Sequence, residues 1–293
     1  MKHAIITAID SSYGDFLVEH WLPSLVDNVT LDNIDVWVID YGLASSHTMD
    51  LMSHDIKLHA CQPDGNITNI RYREIANILC QNTYDQVLAI DGGDIIFQDD
   101  ISHLFEQHKN RFRGVCEEIQ VPFHEALLPK VDVPPEVFEK IAAFLDKKPT
   151  INGGMILGPS GRFAQLWEHF QKLWRSYQIF GTDQLVLNYL LYSEGFVRLP
   201  SKYNFAILTM RSNYVVRQGV FYDERGDIIP VVHNCGMRQL TRSVARFGYG
   251  VNRNQPKPVT TAFLRLCFRL INAWRWFRCL FSQKKLSVKN DGT

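Results

Sequence analysis

Val87-Leu88-Ala89-Ile90-Asp91-Gly92-Gly93-Asp94-Ile95-Ile96-Phe97 runs an apolar strand into two aspartates separated by glycines and then resumes apolar. Carboxylates are thereby held at a buried strand end. An uninterrupted apolar strand belongs in a sheet covered on both faces, the habit of parallel α/β proteins. Hard divalent ions take oxygen ligands and complete their shell with substrate phosphates, so a short acidic loop on a rigid strand suits a nucleotide diphosphate accompanied by Mg²⁺ or Mn²⁺. The glycines let backbone and ligand approach closely. Taken alone, Asp91 to Asp94 reads equally well as a turn with solvated aspartates.

Outward from this stretch, β-rich runs at His3 to Ala8, Ile34 to Ile39, Ile56 to Ala60 and Gln86 to Ile90 alternate with helical patterns at Phe16 to Val26 and Thr68 to Cys80. That order predicts an α/β fold, a doubly wound and mostly parallel sheet flanked by helices, with ligands at the carboxyl ends of the strands. The residues just beyond three of those ends are Asp10, Asp40 and Asp91. Three acidic strand ends repel one another around an empty crevice, so the crevice is expected to hold a cation or many hydroxyl groups. Neither a GxGxxG nor a P-loop accompanies them.

Composition narrows the class further. The chain has 293 residues, 46% hydrophobic and 21% charged, with 18 Gly and 12 Pro, which excludes disordered and collagenous chains. Cys61, Cys80, Cys116, Cys235, Cys267 and Cys279 form no CxxC pair, so reduced thiols are expected instead of a zinc ribbon or a disulfide scaffold. Met1 to His3 leads directly into the apolar run Ala4 to Ala8 and then Asp10, too short for a signal-peptide core; the body is expected in the cytoplasm.

A formal net charge of zero conceals two unlike pieces. Residues 228–290 carry twelve Lys and Arg and no acidic group, leaving 19 basic against 30 acidic residues in the first 227. Within the basic piece, Phe263, Leu266, Leu270, Trp274, Phe277, Leu280 and Phe281 fall on one helical arc, with Arg265, Arg269, Asn272 and Arg275 on another. Crossing a bilayer would put Arg265, Arg269, Arg275 and Arg278 in hydrocarbon at about 2.5–3.5 kcal/mol each near the centre. The helix is therefore expected to lie on an anionic membrane surface through residues 259–285, the alternative being an ordinary terminal helix docked on the body. The expected organisation is a catalytic domain over 1–255 and a membrane-associating tail over 256–293, peripheral at the inner face of the membrane. No nucleic-acid partner is expected, because the aromatics line an apolar face instead of interleaving with the basic residues.

Six ordered segments between Ala4 and Gly236 together resemble the retaining glycosyltransferases of family 8, of the GT-A fold. Ala8-Ile9-Asp10-Ser11-Ser12-Tyr13 is similar to the family's first nucleotide-binding segment, and Val38-Ile39-Asp40-Tyr41-Gly42-Leu43 to its second strand end. Asp91-Gly92-Gly93-Asp94 resembles the metal motif, Ile151-Asn152-Gly153-Gly154-Met155-Ile156-Leu157 the asparagine strand, Asp183-Gln184 the start of the DQ helix, and His233-Asn234-Cys235-Gly236 the HxxG. The resemblance implies Mn²⁺ or Mg²⁺ on Asp91, Asp94 and His233, with a UDP-sugar held by Ala8, Asp10, Tyr13, Asp40 and Gly236. It further implies sugar contacts from Asn152 and Asp183, and Gln184 near the anomeric carbon. An orienting arginine is expected at Arg71 or Arg73, with Arg73 preferred by spacing.

The implied reaction moves a hexose, galactose or glucose, from UDP to a saccharide or lipid-linked saccharide, as in the family's lipo-oligosaccharide enzymes. A sugar-nucleotide-binding module and a nucleotidyltransferase are the alternatives. The sequence departs from the family twice. Asp91 and Asp94 are separated by two residues instead of one, so either the loop bulges or Asp91 has a shifted role. After the HxxG, Met237-Arg238-Gln239 replaces the usual lysine, proline and tryptophan, which puts Arg238 in the place of the diphosphate-contacting cation.

Overall fold

A computed structural model of the chain describes residues 1–120, 132–236 and 239–290, with side chains described as far as Trp274, Gln239 excepted. β1 (His3–Ile9), β2 (Ile34–Asp40) and β3 (Lys57–Ala60) pair in parallel, with Ile9 beside Asp40 and Asp40 beside Ala60. The helical stretch after β1 comprises α1 (Gly14–Phe16), a π turn at Leu17–Trp21 and α2 (Leu22–Asn28). Leu17, Trp21 and Leu25 recur at four-residue spacing along it and are fully buried, each contributing roughly 1.5–3 kcal/mol. After α3 (Ser45–Ser53), α4 (Ile67–Gln81) begins at Asn66, whose side chain accepts from Thr68 N at 3.2 Å.

β4 (Gln86–Ile90) lies on the other side of β1, also parallel to it. The sheet direction of chain progression therefore reverses between β1 and β4, the point where open α/β sheets bind ligands. β5 (Ile95–Phe97) leaves this sheet. β6 (Phe112–Cys116), β7 (Ile151–Pro159) and β8 (Phe196–Arg198) complete it in the order β3-β2-β1-β4-β7-β6-β8. β7 runs antiparallel to both β4 and β6, the one exception to the parallel pairing. α5 (Pro135–Leu145), α6 (Ser160–Leu173) and α7 (Thr182–Glu194) belong to this half.

Alternation along the strands sends Ile5, Leu88 and Ile90 into one apolar cluster and Ala4, Ile6, Val87 and Ala89 into another, so both faces of the sheet are covered. A second, three-stranded sheet matters more for the site. β9 (Phe205–Ala206), the hairpin β10 (Tyr214–Arg217) and β11 (Val220–Asp223), and β12 (Val231–His233) follow one another in the chain. β12 lies between β5 and β9, placing His233 opposite both Ile95 and Ala206. The apolar run that begins at Ile228 forms strand only from Val231.

β13 (Val244–Ala245) and β14 (Gln255–Pro256) pair just before α8 (Pro258–Asn290). The sequence assigned the polar arc of this helix to solvent or lipid headgroups, yet part of that arc faces protein. Arg265 donates to the carbonyls of Leu208 at 3.0 Å, Ile207 at 2.9 Å and Met210 at 2.5 Å, and Asn272 donates to Gln120 O at 2.9 Å. Val259, Phe263, Leu266, Leu270 and Trp274 on the other side are 51–82% exposed. No helix among the described residues is long and apolar enough to cross a membrane.

Candidate active site

The backbone decides where the first carboxylate stands. Asp91 follows β4, and its N–H donates to Gly154 O at 2.9 Å, which extends the β4–β7 ladder by one residue. Asp94 immediately precedes β5, its carbonyl accepts from Asn234 N at 2.9 Å, and the facing strand β12 ends in His233. His233 Nε2 lies 3.3 Å from Asp94 Oδ1 and 4.0 Å from Asp91 Oδ2. One ligand atom from each of the three falls within 4.8 Å of the others. The extra glycine is accommodated: Gly92 packs where a Cβ would stand 2.6 Å from Thr7 Oγ1, and Gly93 where one would stand 2.8 Å from the Tyr13 ring.

These groups fit a hard divalent cation. Two carboxylates and an imidazole make a mixed oxygen and nitrogen set of the kind manganese accepts. A cradle is present as well, since a Cβ on Gly154 would stand 2.6 Å from His233 Cε1 and 2.8 Å from Asp91 Oδ2. Burial disfavours the charged form of Asp94, but His233, Arg242 and Arg71 outweigh it and hold the carboxyl below the ordinary range. The same pairing raises His233, against the effect of its burial. Acidic oxygens crowded around one imidazole create the negative potential that a cation would neutralise.

Arg71, not Arg73, joins this cluster. Its Nη1 donates to Asp91 Oδ1, and its Nη2 donates to Gly153 O at 3.1 Å and lies 3.4 Å from Asp183 Oδ2. Arg73 instead forks onto Asp64 at 2.7 and 2.8 Å and donates to Glu74 at 2.6 Å. Helix phase explains the difference, because Ile67, Arg71, Ile75 and Ile78 fall on the stripe of α4 that faces the sheet, whereas Arg73 lies off it. Spacing from the metal motif carried no information about that phase; the apolar stripe did.

The sugar-contacting candidates converge from β7 and α7. Burial pushes the Asp183 carboxyl up to about 6 despite Arg71, while Thr68 Oγ1 donates to it at 3.3 Å. Gln184 is held at both ends of its amide, accepting from Gly153 N at 2.9 Å and donating to Ile151 O. Asn152 accepts from Gly154 N at 2.9 Å and from Asn204 at 3.0 Å, and donates to Glu117 at 2.8 Å. Asn204 Oδ1 lies 3.0 Å from His233 Nδ1.

Among the proposed nucleotide contacts, Asp10 accepts from Ser12 N at 2.9 Å, which caps the short turn that carries Tyr13. Tyr13 is 38% exposed beside Gly93. Asp40 accepts from the N–H groups of Gly42 and Leu43 at 2.8 and 2.6 Å, so part of its carboxylate shapes its own loop. Ala8 is half-buried at the end of β1, and Gly236 has φ 157°, with Arg242 Cγ 3.1 Å from where its Cβ would be. Arg238 lies outside the described residues, as does most of the segment Pro122 to Pro135 expected to shape the acceptor side.

Sequence reasoning missed Arg242, whose Nη2 is 3.6 Å from Asp94 Oδ2 and whose guanidinium sits 5.8 Å from the Tyr13 ring centroid. It also missed Glu117 and Asn204. Each is a single polar residue with no motif around it, and only the closure of separate strands brings it to the site.

The sheet order, the acidic switch point and the second small sheet define an α/β fold of the GT-A type, as expected from the sequence. No family model matches the sequence, and no curated protein does. Solved structures match it as a fold. The galactosyltransferase LgtC, in complex with donor and acceptor sugar analogues, superposes with a TM-score of 0.51 at 16% identity, over 83% of this chain and 90% of that one. An active-site mutant of LgtC gives 0.51 at 18% identity, over 80% and 87%. The glycosyltransferase GlyE of Streptococcus pneumoniae TIGR4, in its apo form, gives 0.50 at 17% identity, over 85% of this chain and 57% of that one.

Proposed function

We propose that the chain is a metal-dependent retaining glycosyltransferase that moves a hexose, galactose or glucose, from a UDP-sugar to a saccharide or lipid-linked saccharide. The observation that carries this reading is the convergence of Asp91, Asp94 and His233 on one point at the sheet's switch, with Arg71 tying Asp91 to Asp183. These three side chains would hold Mn²⁺ or Mg²⁺, which when bound supplies Lewis-acid stabilisation to the departing diphosphate. Tyr13, Asp10, Asp40, Ala8 and Gly236 form the wall assigned to the uridine and the diphosphate. Arg242 presents a cation to the same place from beside Gly236, the role that sequence assigned to Arg238.

Asn152 and Asp183 are assigned to the sugar hydroxyls, and Gln184 lies beside them as a neutral amide with both ends engaged. An amide in that state is a poor nucleophile, and Asp183 is committed to Arg71. A retaining reaction in which the acceptor hydroxyl enters on the face the diphosphate leaves, giving its proton to a diphosphate oxygen, asks for neither an enzyme nucleophile nor a pair of acid and base carboxylates. Release of UDP from a panel of UDP-sugars, with Mn²⁺ and with EDTA, tests the reading. UDP binding without turnover on any sugar would assign a binding module, and release of pyrophosphate a nucleotidyltransferase.

The same reading includes a peripheral position at the inner face of an anionic membrane, in lipopolysaccharide or lipo-oligosaccharide synthesis, with 1–255 as catalytic domain and 256–293 as tail. Its support is the direction in which α8 faces: the apolar side outward, Arg265 inward on the body. Truncation after Gln255 would also remove Pro256 from its pairing with Val244 and the bond from Lys257 N to Ser243 O. Substitution is the cleaner test. Leu266→Asp with Leu270→Asp keeps Arg265 in place and is expected to abolish sedimentation with anionic liposomes while leaving UDP release from soluble acceptors intact.

A further inference from the structure

A cleft of about 470 Å³ opens where α8 meets the body, lined by Ile119, Gln120, Arg211, Arg269 and Asn272. That volume is in the range of sites for small molecules, roughly 300–1,000 Å³. Its walls are fixed on both sides. Ile119 N–H donates to Thr209 O at 2.8 Å, tying the chain after β6 to the chain after β9. Arg265 and Asn272 fasten α8 to the same two segments through the carbonyls of Ile207, Leu208, Met210 and Gln120.

The charge of this cleft is unbalanced. Arg211 and Arg269 are exposed, and neither guanidinium has a hydrogen-bond or ion-pair partner among the described residues. Glu118 is the acidic group beside them, and one of its oxygens already accepts from Arg211 N–H at 2.7 Å. Arg265 and Arg269 stand four residues apart on α8, a like-charge spacing that destabilises a helix unless something offsets it. Burial holds the Arg265 guanidinium below its ordinary value, and the charge of Arg269 adds to that effect. Positive potential is thus left over in a preformed cleft, where an anion would neutralise it. Guanidinium forks match phosphate oxygens two at a time. The rest of the lining suits a sugar: the amides of Gln120 and Asn272 are of the kind that bonds hydroxyls, and Ile119 offers an apolar surface to a ring.

The cleft continues from the sugar site along the chain. Ile119 lies two residues beyond Glu117, a span of at most ~7 Å, and Glu117 accepts from Asn152 at 2.8 Å. Arg211 follows five residues after Ala206, which pairs with His233 in the small sheet. We propose that this cleft binds a phosphorylated sugar unit of the acceptor, its phosphate forked by Arg211 and Arg269 and its hydroxyls met by Gln120 and Asn272. Assignment of that unit to the acceptor rests on the glycosyltransferase reading; the anion site itself does not.

Isothermal titration of the full-length protein, with Mn²⁺ and saturating UDP present to fill the donor site, tests the cleft with glucose 6-phosphate, glucose, glycerol 3-phosphate and inorganic phosphate. One equivalent of glucose 6-phosphate is expected to bind, at least about tenfold more tightly than glucose, as charge-assisted hydrogen bonds require. It should also bind about threefold or more tightly than glycerol 3-phosphate or inorganic phosphate, which lack the ring hydroxyls. Arg211→Gln with Arg269→Gln is expected to lower the affinity for glucose 6-phosphate by about tenfold or more, with circular dichroism unchanged. Unchanged affinity in that folded variant overturns the proposal. Should the variant not fold, wild-type protein that binds glucose 6-phosphate no more tightly than glucose overturns it equally. Equal or tighter binding of glycerol 3-phosphate marks a lipid-headgroup site, and of inorganic phosphate a general anion site; either overturns the saccharide. Failure of the glycosyltransferase reading has a different signature: glucose 6-phosphate held through the two arginines by a protein that releases UDP from no UDP-sugar.

Discussion

Two places among the described residues bring three ligand-type atoms within 4.8 Å of one another, Asp91 with Asp94 and His233, and His59 with Cys61 and Glu74. Distance alone does not separate them. In the second, Glu74 already accepts from Arg73 at 2.6 Å, Asn77 at 2.8 Å and His59 at 3.1 Å, and burial pushes the Cys61 thiol up to about 12. Every charge there has a partner, so a cation would have to displace one. In the first, Arg71 satisfies one oxygen of Asp91 and Arg242 stands 3.6 Å from one oxygen of Asp94, while the other oxygen of each converges on His233 Nε2. A site is thus marked by unspent negative potential, and proximity of ligand types is only its precondition.

The sharpest way to break this contrast is at Asp94. Asp94→Asn is expected to reduce Mn²⁺-dependent UDP release by at least ~10²-fold with circular dichroism unchanged, in line with losing one strong electrostatic contact in a transition state. Wild-type turnover would remove Asp94 from the site. Next in size is Gly154→Ala, because its new Cβ would stand 2.6 Å from His233 Cε1. A loss in Mn²⁺ affinity of more than about tenfold is expected, since metal affinity depends on how the ligands are oriented, and calorimetric titration reads it.

The two arginines offer an internal control. Arg71→Lys replaces a fork that spans Asp91, Gly153 and Asp183 with a point charge, and kcat/KM for donor hydrolysis should fall by about tenfold or more. Arg73→Lys should leave it within about twofold, as expected of a group that serves only Asp64 and Glu74. Equal losses would erase the distinction between the clusters.

Stability against pH should carry opposite signs in the two regions. Burial raises Glu74 less than Arg73, Asn77 and His59 lower it, so its carboxyl lies below the ordinary 4.5. Its stabilisation is present above that value and is lost as pH falls through the depressed native one. Asp183, raised by burial from 3.8 to about 6, keeps a proton in the native state that the unfolded chain releases. Its contribution is full below 3.8 and declines as pH rises through about 6. Urea unfolding of Glu74→Gln should therefore flatten the acid limb by about 1 kcal/mol. Asp183→Asn should flatten the decline between 4 and 6. The smallest effect is expected from Cys61→Ser, about 1 kcal/mol or less in stability, with Mn²⁺ stoichiometry and turnover unchanged; an altered metal count would place a second ion at His59.

The elements that sequence anticipated are those whose signal is local. β1, β2 and β4 were legible because each is a mostly apolar, β-rich run, and Asp91 and Asp94 because they interrupt one. The helix after β1 was placed within a few residues, without its π turn. What escaped depends on phase or on closure. Arg71 was passed over for Arg73 although the stripe of Ile67, Ile75 and Ile78 runs through it. The polar arc of α8 was assigned to the outside although Arg265 reaches three backbone carbonyls of the body. Arg242, Asn204 and Glu117 carried no local mark.

The sequence by itself determined the alternation of strands and helices as far as β4, the polarised charge, and the carboxylates at the strand ends, because apolar periodicity and motif spacing act over a few residues; the histidine came from the resemblance. Only tertiary structure decided which of those groups meet. Asp94 and His233 are 139 positions apart, and an antiparallel pairing of two three-residue strands joins them. The hydrogen bonds behind that meeting point run through Asn204 and Asn152 to Glu117, contributed by three further segments. Hydrogen-bond direction is a property of groups in contact, and contact across the chain exists only once the sheet has closed.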